Sequence, residues 1–332
     1  MMDLTLFYFL ILGFAVFMYV LLDGFDLGIG ILYPWFDRAG EKDHLMRSIS
    51  HVWDGNETWL VFGGVVLFAA FPAAYAGILS TFYLPIMLML FALIFRGVAF
   101  EYRFKANTSK AYWDFAFSAG SAVAAFCQGL ILGSIVQGVN ASQIADASWY
   151  WLSPFAILTG FSVMAGYALL GASYLYMKSR GRIQSHAAHI AKRLLVIVMV
   201  AMLLISLWTV ISSVDIRARW FSGLNFVYLS PLPIMSVGLA LAAWRAFNKL
   251  DHEGRPFWMV AGIFLLGFAG LVVSLFPYLM PNQLTIWDAA APDSSLEFLL
   301  VGIVIFIPLI LAYTLWGYRV FAGKVEDYQE GY

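Results

Sequence analysis

Charge is scarce in this chain. Asp, Glu, Lys and Arg together make up 12% of its 332 residues, while 62% are hydrophobic and the mean hydropathy is +0.82. A water-soluble domain is about a quarter charged, so most of this surface faces something other than water and a large soluble domain is excluded. Nor is there an excess of either sign: 19 Lys and Arg stand against 20 Asp and Glu, which lacks the broad basic footprint of a nucleic-acid binder. There is one cysteine, Cys127, inside an apolar run. No disulfide within the chain and no cysteine-based zinc or iron–sulfur site can be built from it. Histidine is missing from the apolar runs: His44, His51, His186, His189 and His252 all fall in or beside the polar connections. A membrane haem takes a histidine as at least one axial ligand in most classes, so this chain is poorly equipped to hold one by itself. His186 and His189 lie among Lys178, Arg180, Arg182, Lys192 and Arg193, which reads as a basic surface against anionic lipid rather than a metal site. The N-terminus lacks the basic start and small-residue cleavage site of a removable signal, so the first apolar segment is expected to be retained. No internal repeat is visible.

What is present is a succession of apolar runs, each near the 20 residues that span a bilayer: 4–33, 52–79, 82–100, 113–138, 152–177, 194–214, 226–243, 258–280 and 296–317. The expected fold is therefore all-α and polytopic, one integral-membrane domain over 1–332 with about nine transmembrane helices. The second and third runs are divided only by Gly77–Thr81, and Pro308 is expected to kink the last helix. The segments 34–51, 101–112, 178–193, 244–257 and 318–332 hold 16 of the 19 Lys and Arg, with Arg217 and Arg219 on the other side and Arg96 inside the third run. The positive-inside rule then puts the N-terminus outside and the C-terminus in the cytoplasm. Trp149, Tyr150 and Trp151 at the fifth run and Trp258 at the eighth supply aromatic rings for the headgroup zone.

Charge within a span costs up to about 2.5–3.5 kcal/mol at its centre, so each such residue asks for a reason. Asp23 and Asp26 sit three apart on the first helix, and Asp54 and Glu57 repeat the spacing on the second, which puts each pair on one helix face. At about 1.5 Å per residue from Leu4, Asp23 falls roughly 28 Å inward, near the far edge of the hydrocarbon core. The four acids are expected to line an inner mouth. Desolvated carboxylates can load and release protons, which suggests a proton entry. The alternative is structural: capping helix ends, or pairing with Arg96 and Arg103. Gly24, Gly28 and Gly30 are spaced GxxxGxG with no strand before them, which fails as a dinucleotide fingerprint and suits close packing of the first helix instead.

Read in order, Asp23-Gly24-Phe25-Asp26-Leu27-Gly28-Ile29-Gly30, Trp53-Asp54-Gly55-Asn56-Glu57-Thr58-Trp59-Leu60, Phe71-Pro72-Ala73-Ala74-Tyr75, Phe95-Arg96-Gly97 with Phe100-Glu101-Tyr102-Arg103, and Leu284-Thr285-Ile286-Trp287-Asp288-Ala289 resemble subunit II of the cytochrome bd-type quinol oxidases. The dense matches cover about the first third of the chain. The compact segment from Asp215 to Asn225 is similar to the shorter members, including the cyanide-insensitive branch. The resemblance implies a heterodimer in the bacterial cytoplasmic membrane that oxidises quinol and reduces O2 to water, taking protons from the cytoplasm. It implies that the haems, haem b with or without haem d, and the quinol site belong to subunit I. It also allows a small accessory subunit and a quinone or lipid held structurally. On that likeness Asp54 is a proton-path carboxylate, with Glu57, Asp23 and Asp26 beside it. Trp59 borders an oxygen or proton route, flanked by Trp53 and Asn56, and Arg96, Glu101 and Arg103 are ion-pairing residues. The competing reading of the acids is a proton-coupled secondary transporter, a class that usually carries internal repeats and broken helices at mid-membrane.

Overall fold

The computed structural model describes residues 3–38, 40–138, 149, 151–248 and 254–325; Tyr150 and His252 lie outside them. In chain order the long helices are α1 (Leu4–Leu32), α3 (Trp53–Ala70), α5 (Tyr83–Arg103), α6 (Lys110–Gln137), α7 (Pro154–Lys178), α8 (Gly181–Ser212), α11 (Pro231–Asn248), α12 (Arg255–Leu275) and α14 (Asp293–Val320). Shorter pieces are α2 (Glu41–Ile49), α4 (Pro72–Thr81), α9 (Val214–Phe221), α10 (Asn225–Leu229) and α13 (Ile286–Ala289), with a two-stranded antiparallel hairpin of β1 (Tyr278–Met280) and β2 (Leu284–Thr285). Among the described residues eight helices are long and apolar enough to cross a membrane, and nine if the bent pair α3–α4 counts as one span. The all-α, polytopic expectation holds.

Three boundaries differ from the hydropathy reading, each for a local reason. The second run does not continue straight to residue 79: the chain turns by 120° between α3 and α4. Pro72 offers no N–H to the helix and pushes the preceding residue out of the helical region, and Phe71 sits at φ −133°, ψ 60°. Residues 77–81 are accordingly the end of α4, and the next break falls at Phe82. The eighth run ends as a helix at Leu275, because Pro277 stops it and the chain enters the hairpin. Conversely, α8 begins at Gly181, well before the apolar run at 194. Hydropathy locates the buried length of a helix, and the polar turns rich in Ala, Lys, Arg and Gln at its start form helix just as readily. Helix α14 runs on through Pro308.

Helix α1 is central, packing against α3, α6 and α7, while α5 lies on α6, and α8, α11 and α12 close a second group around α7. The approach of α1 to α7 requires glycine. A Cβ on Gly28 would stand 1.8 Å from the Tyr167 carbonyl oxygen, and one on Gly171 would stand 2.6 Å from the Gly28 carbonyl carbon. The small residues of α1 therefore serve packing within the chain, with Phe25 stacked on Tyr174 of α7 at 4.1 Å.

The ends of the bundle are tied differently. At one, the Trp287 indole donates to Asp3 at 3.1 Å, the Ala291 amide donates to the Ala70 carbonyl at 2.9 Å, and Thr285 with Asp288 forms a capping box at α13. The late Thr285–Asp288 motif is thus a structural cap. At the other, Lys178 and Lys324 donate to the Phe321 and Met177 carbonyls, and the His51 ring stacks on Phe321 at 4.0 Å. Asp3 and Phe321, near the two chain ends, lie at opposite ends of the bundle.

Candidate functional site

Two aspartates of α1 meet an arginine of α5 in the interior. Arg96 Nη1 lies 2.7 Å from Asp23 Oδ1 and Arg96 Nη2 lies 3.9 Å from Asp26 Oδ2, and all three side chains are fully buried. The i,i+3 spacing on α1 turns both carboxylates toward α5, and Gly120 of α6 lets α5 come close: a Cβ there would be 2.6 Å from the Ala92 carbonyl. The expectation of four acids lining a mouth is corrected here. Asp23 and Asp26 are sealed inside because Arg96 reaches across to them, while Asp54 is exposed and Glu57 is half-buried. Glu57 interacts electrostatically with Arg96, Asp23 and Asp54.

The trio holds two carboxylates for one guanidinium. An electrically neutral cluster therefore binds one proton, and neutrality is strongly favoured where ions are removed from water. Asp23 Oδ2, Asp26 Oδ1 and Arg96 Nε have no hydrogen-bond partner among the described residues. Buried polar atoms in native proteins are nearly always satisfied, which points to water or a neighbouring chain around this cluster.

Asn56 joins the cluster from α3. Its Nδ2 donates to Asp26 Oδ2 at 2.7 Å, and its Oδ1 accepts from the Tyr318 hydroxyl of α14 at 2.8 Å. One turn before Asp23 stands Tyr19, whose oxygen accepts from Gln128 at 2.7 Å; Gln128 in turn accepts from Tyr167 at 2.7 Å. Tyr318, Gln128 and Tyr167 were not evident in the sequence. Tyr19 had a signal, since it is four residues before Asp23 and shares its helix face. The two tryptophans part company: Trp53 stacks on Phe100 at 4.9 Å with Arg96 over its ring at 5.9 Å, whereas Trp59 is fully buried against Phe14 and Phe62.

Arg103 does not reach the α1 acids. It bridges Asp43 of α2, at 2.6 Å, and Asp114 of α6, and Tyr33 donates to Asp114 at 2.8 Å. Glu101 pairs with Lys105 at 3.6 Å on the surface. Arg103 is therefore a clamp for α2. Burial raises the Asp43 carboxyl, but the hydrogen bonds and charges of Arg103 and Lys110 outweigh it and hold the group below its usual range. A depressed carboxyl stabilises the fold above its unfolded value, about pH 4, and loses that contribution as pH falls through the folded value. Amide exchange in residues 41–49, corrected for intrinsic rates, should be slow at pH 6 and rise as pH drops below about 4. Flat protection across that window would remove the clamp.

Among the described residues no group of three His, Cys, Asp or Glu could hold a metal ion. His44 bonds Ser179 at 2.8 Å and His189 bonds the Ser185 carbonyl at 2.7 Å, while His186 lies against Phe36. These residues do not fit a haem, since none projects into the apolar middle of a span.

The fold and site together define a class: a polytopic α-helical membrane subunit built around a buried acid–arginine cluster. The profile described as Cytochrome bd terminal oxidase subunit II matches residues 4–321, and the chain belongs to that family. It is similar to the "Probable cytochrome oxidase subunit 2" of Haemophilus influenzae, 30% identical with 96% of this chain and 92% of the relative covered. It is likewise similar to the "Cytochrome bd-I ubiquinol oxidase subunit 2" of Escherichia coli K12, 30% identical over 95% and 92%. For the "Cytochrome bd ubiquinol oxidase subunit 2" of Bacillus subtilis the identity is 29% over 92% of each. The fold matches a chain of the bd oxidase of Geobacillus thermodenitrificans with a TM-score of 0.80, at 17% identity, covering 97% of this chain and 99% of that one. The protein is thus subunit II of a cytochrome bd terminal oxidase, part of an oxidoreductase complex of bacterial respiratory electron transport, and a multi-pass protein of the inner membrane. The transporter reading has no support.

Proposed function

We propose that this subunit carries protons from the cytoplasm toward O2 reduction in a heterodimer whose partner, subunit I, oxidises quinol and holds the haems, haem b with or without haem d. The observation that carries the reading is the Asp23–Arg96–Asp26 trio, a fully buried cluster with one acid more than it has bases. The haems supply the redox chemistry in the partner; this chain supplies proton handling. The exposed Asp54 carboxylate accepts a proton at the end of the bundle where Lys and Arg concentrate, the cytoplasmic end by the positive-inside rule, with the N-terminus outside. Glu57, one turn on, relays it toward Asp23 and Asp26, and Arg96 keeps the cluster from accumulating negative charge. Trp53 and Trp59 wall the route. Broad apolar faces of α14, such as Phe298 at 84% and Trp316 at 66% exposure, suit lipid, a small accessory subunit or a structurally held quinone.

Asp54→Asn removes the carboxylate at nearly constant shape. Quinol-driven O2 consumption by the purified complex should slow on the order of 10²-fold, the lower end of what a positioned proton-transferring side chain contributes, with haem content unchanged. Normal turnover would exclude Asp54 from the route, and lost assembly would assign it a structural role.

A further inference from the structure

A small cleft, with about 20 Å³ of space for water, opens between the start of α3 and the end of α14, with His51, Gly55 and Asn56 on one wall and Thr314, Gly317 and Tyr318 on the other. Val52 and the Tyr313 ring make part of the lining apolar, but His51, Asn56, Thr314 and Tyr318 bring polar groups to a place where two membrane helices meet. Thr314 is the odd residue. Thr58, Thr159 and Thr209, on other helices, spend their hydroxyl on the carbonyl four residues back. The Thr314 side chain is nine-tenths buried, and its Oγ1 has no hydrogen-bond partner among the described residues. A buried hydroxyl left unpaired costs free energy, and a polar pocket with several convergent groups is where water is held.

The cleft also meets the acid cluster from its own direction. At 100° per residue, Asn56 lies 200° around α3 from Asp54, so the two residues address opposite faces of the helix. The Tyr318 hydroxyl donates to Asn56 Oδ1, which leaves the amide nitrogen to face Asp26. Tyr318 on the oxygen and the Leu22 carbonyl on the nitrogen, at 3.4 Å, hold the amide in one orientation, and Asp26 receives a donor from it.

We propose that this cleft is a water-holding port on the Asp26 side of the cluster, binding water through Thr314 Oγ1, and that Tyr318 is a positioning residue that acts on Asp26 through Asn56. The inference deepens the proton-carrying reading, yet its first test does not depend on it. Thr314→Val keeps the side-chain shape and removes the hydroxyl. If the hydroxyl holds water, the variant strands that water's other partners and the complex should melt lower, on the order of 2 °C; if the cleft is dry, removing an unpaired hydroxyl should raise the midpoint, and the port is overturned.

The second test is Tyr318→Phe in the whole purified complex. The infrared carboxyl band of Asp26, identified as the one absent from Asp26→Asn, should shift, and O2 consumption should fall severalfold at unchanged haem content. A band that stays in place in Tyr318→Phe would overturn the positioning role whatever happens to turnover. Should Asp26→Asn fail to assemble, the Tyr318→Phe difference spectrum in 13C-aspartate-labelled complex reads the same band. Because Asp54→Asn reports on the route from the opposite face, failure of that variant to slow turnover sinks the uptake route while the melting and infrared results still decide the cleft.

Discussion

Arg96→Leu is expected to abolish the assembled oxidase. The guanidinium is the cation facing Asp23 and Asp26, and all three side chains are fully buried. Removing one partner of a buried ion pair costs about 3–5 kcal/mol, because the remaining charge is left uncompensated. Here the ionised member of the Asp23–Asp26 pair loses its counter-charge and both acids lose the one guanidinium that faces them. Set against a net stability of about 5–15 kcal/mol, that loss is a large fraction of what holds a folded chain. Arg96→Lys should fall between, since an ammonium is a point charge and cannot present two separate nitrogens to two acids. The measurement is the yield and thermal midpoint of the purified complex. Combining Arg96→Leu with Asp23→Asn and Asp26→Asn restores neutrality and should recover part of the loss. An Arg96→Leu complex that melts like the parent would show that the charges are not coupled as the geometry requires.

Gly28→Ala is the second large effect. The added methyl would meet the Tyr167 carbonyl oxygen at 1.8 Å, and a backbone atom of a packed helix cannot rotate aside. Overpacking a tight contact costs about 1–3 kcal/mol or more, so α1 and α7 must separate and the interior between them loosens. The control lies on the same helix. A Cβ on Gly13 meets nothing within 4 Å, and alanine there should stabilise α1 by about 0.5–1 kcal/mol through helix propensity alone. The thermal midpoints of the two variants should therefore move in opposite directions. If Gly28→Ala melts no lower than Gly13→Ala, the close approach of α1 and α7 is not what the glycines maintain.

Much of the architecture was legible because bilayer-length apolar runs leave few alternatives. Where the reading slipped, a competing local effect won. Pro72 bent the second run by 120°, although proline itself was visible, because a hydropathy window is blind to geometry. The early start of α8 escaped for the opposite reason: its first three turns are helical but polar. The site was legible where chemistry sits close in sequence, as in the paired acids of α1, and where a lone charge interrupts an apolar run, as at Arg96. It was illegible where partners are distant. Tyr318 and Asn56 are 262 positions apart, and nothing local to either announces the other. Arg103 illustrates a third limit: its charge is plain in the sequence, but only packing decides between the acids of α1 and those of α2 and α6.

The order in which the acid cluster is completed has a consequence for biogenesis. Asp23 and Asp26 leave the ribosome on α1, Asn56 follows on α3, Arg96 on α5, and Tyr318 arrives at the end of α14. Until the third hydrophobic segment emerges, the first carries two acids without a counter-charge, each a burden of up to about 3 kcal/mol in lipid on insertion scales. A nascent chain stopped before residue 96 should therefore sit shallowly or stay with the insertion machinery, and one extended through α5 should release into the bilayer.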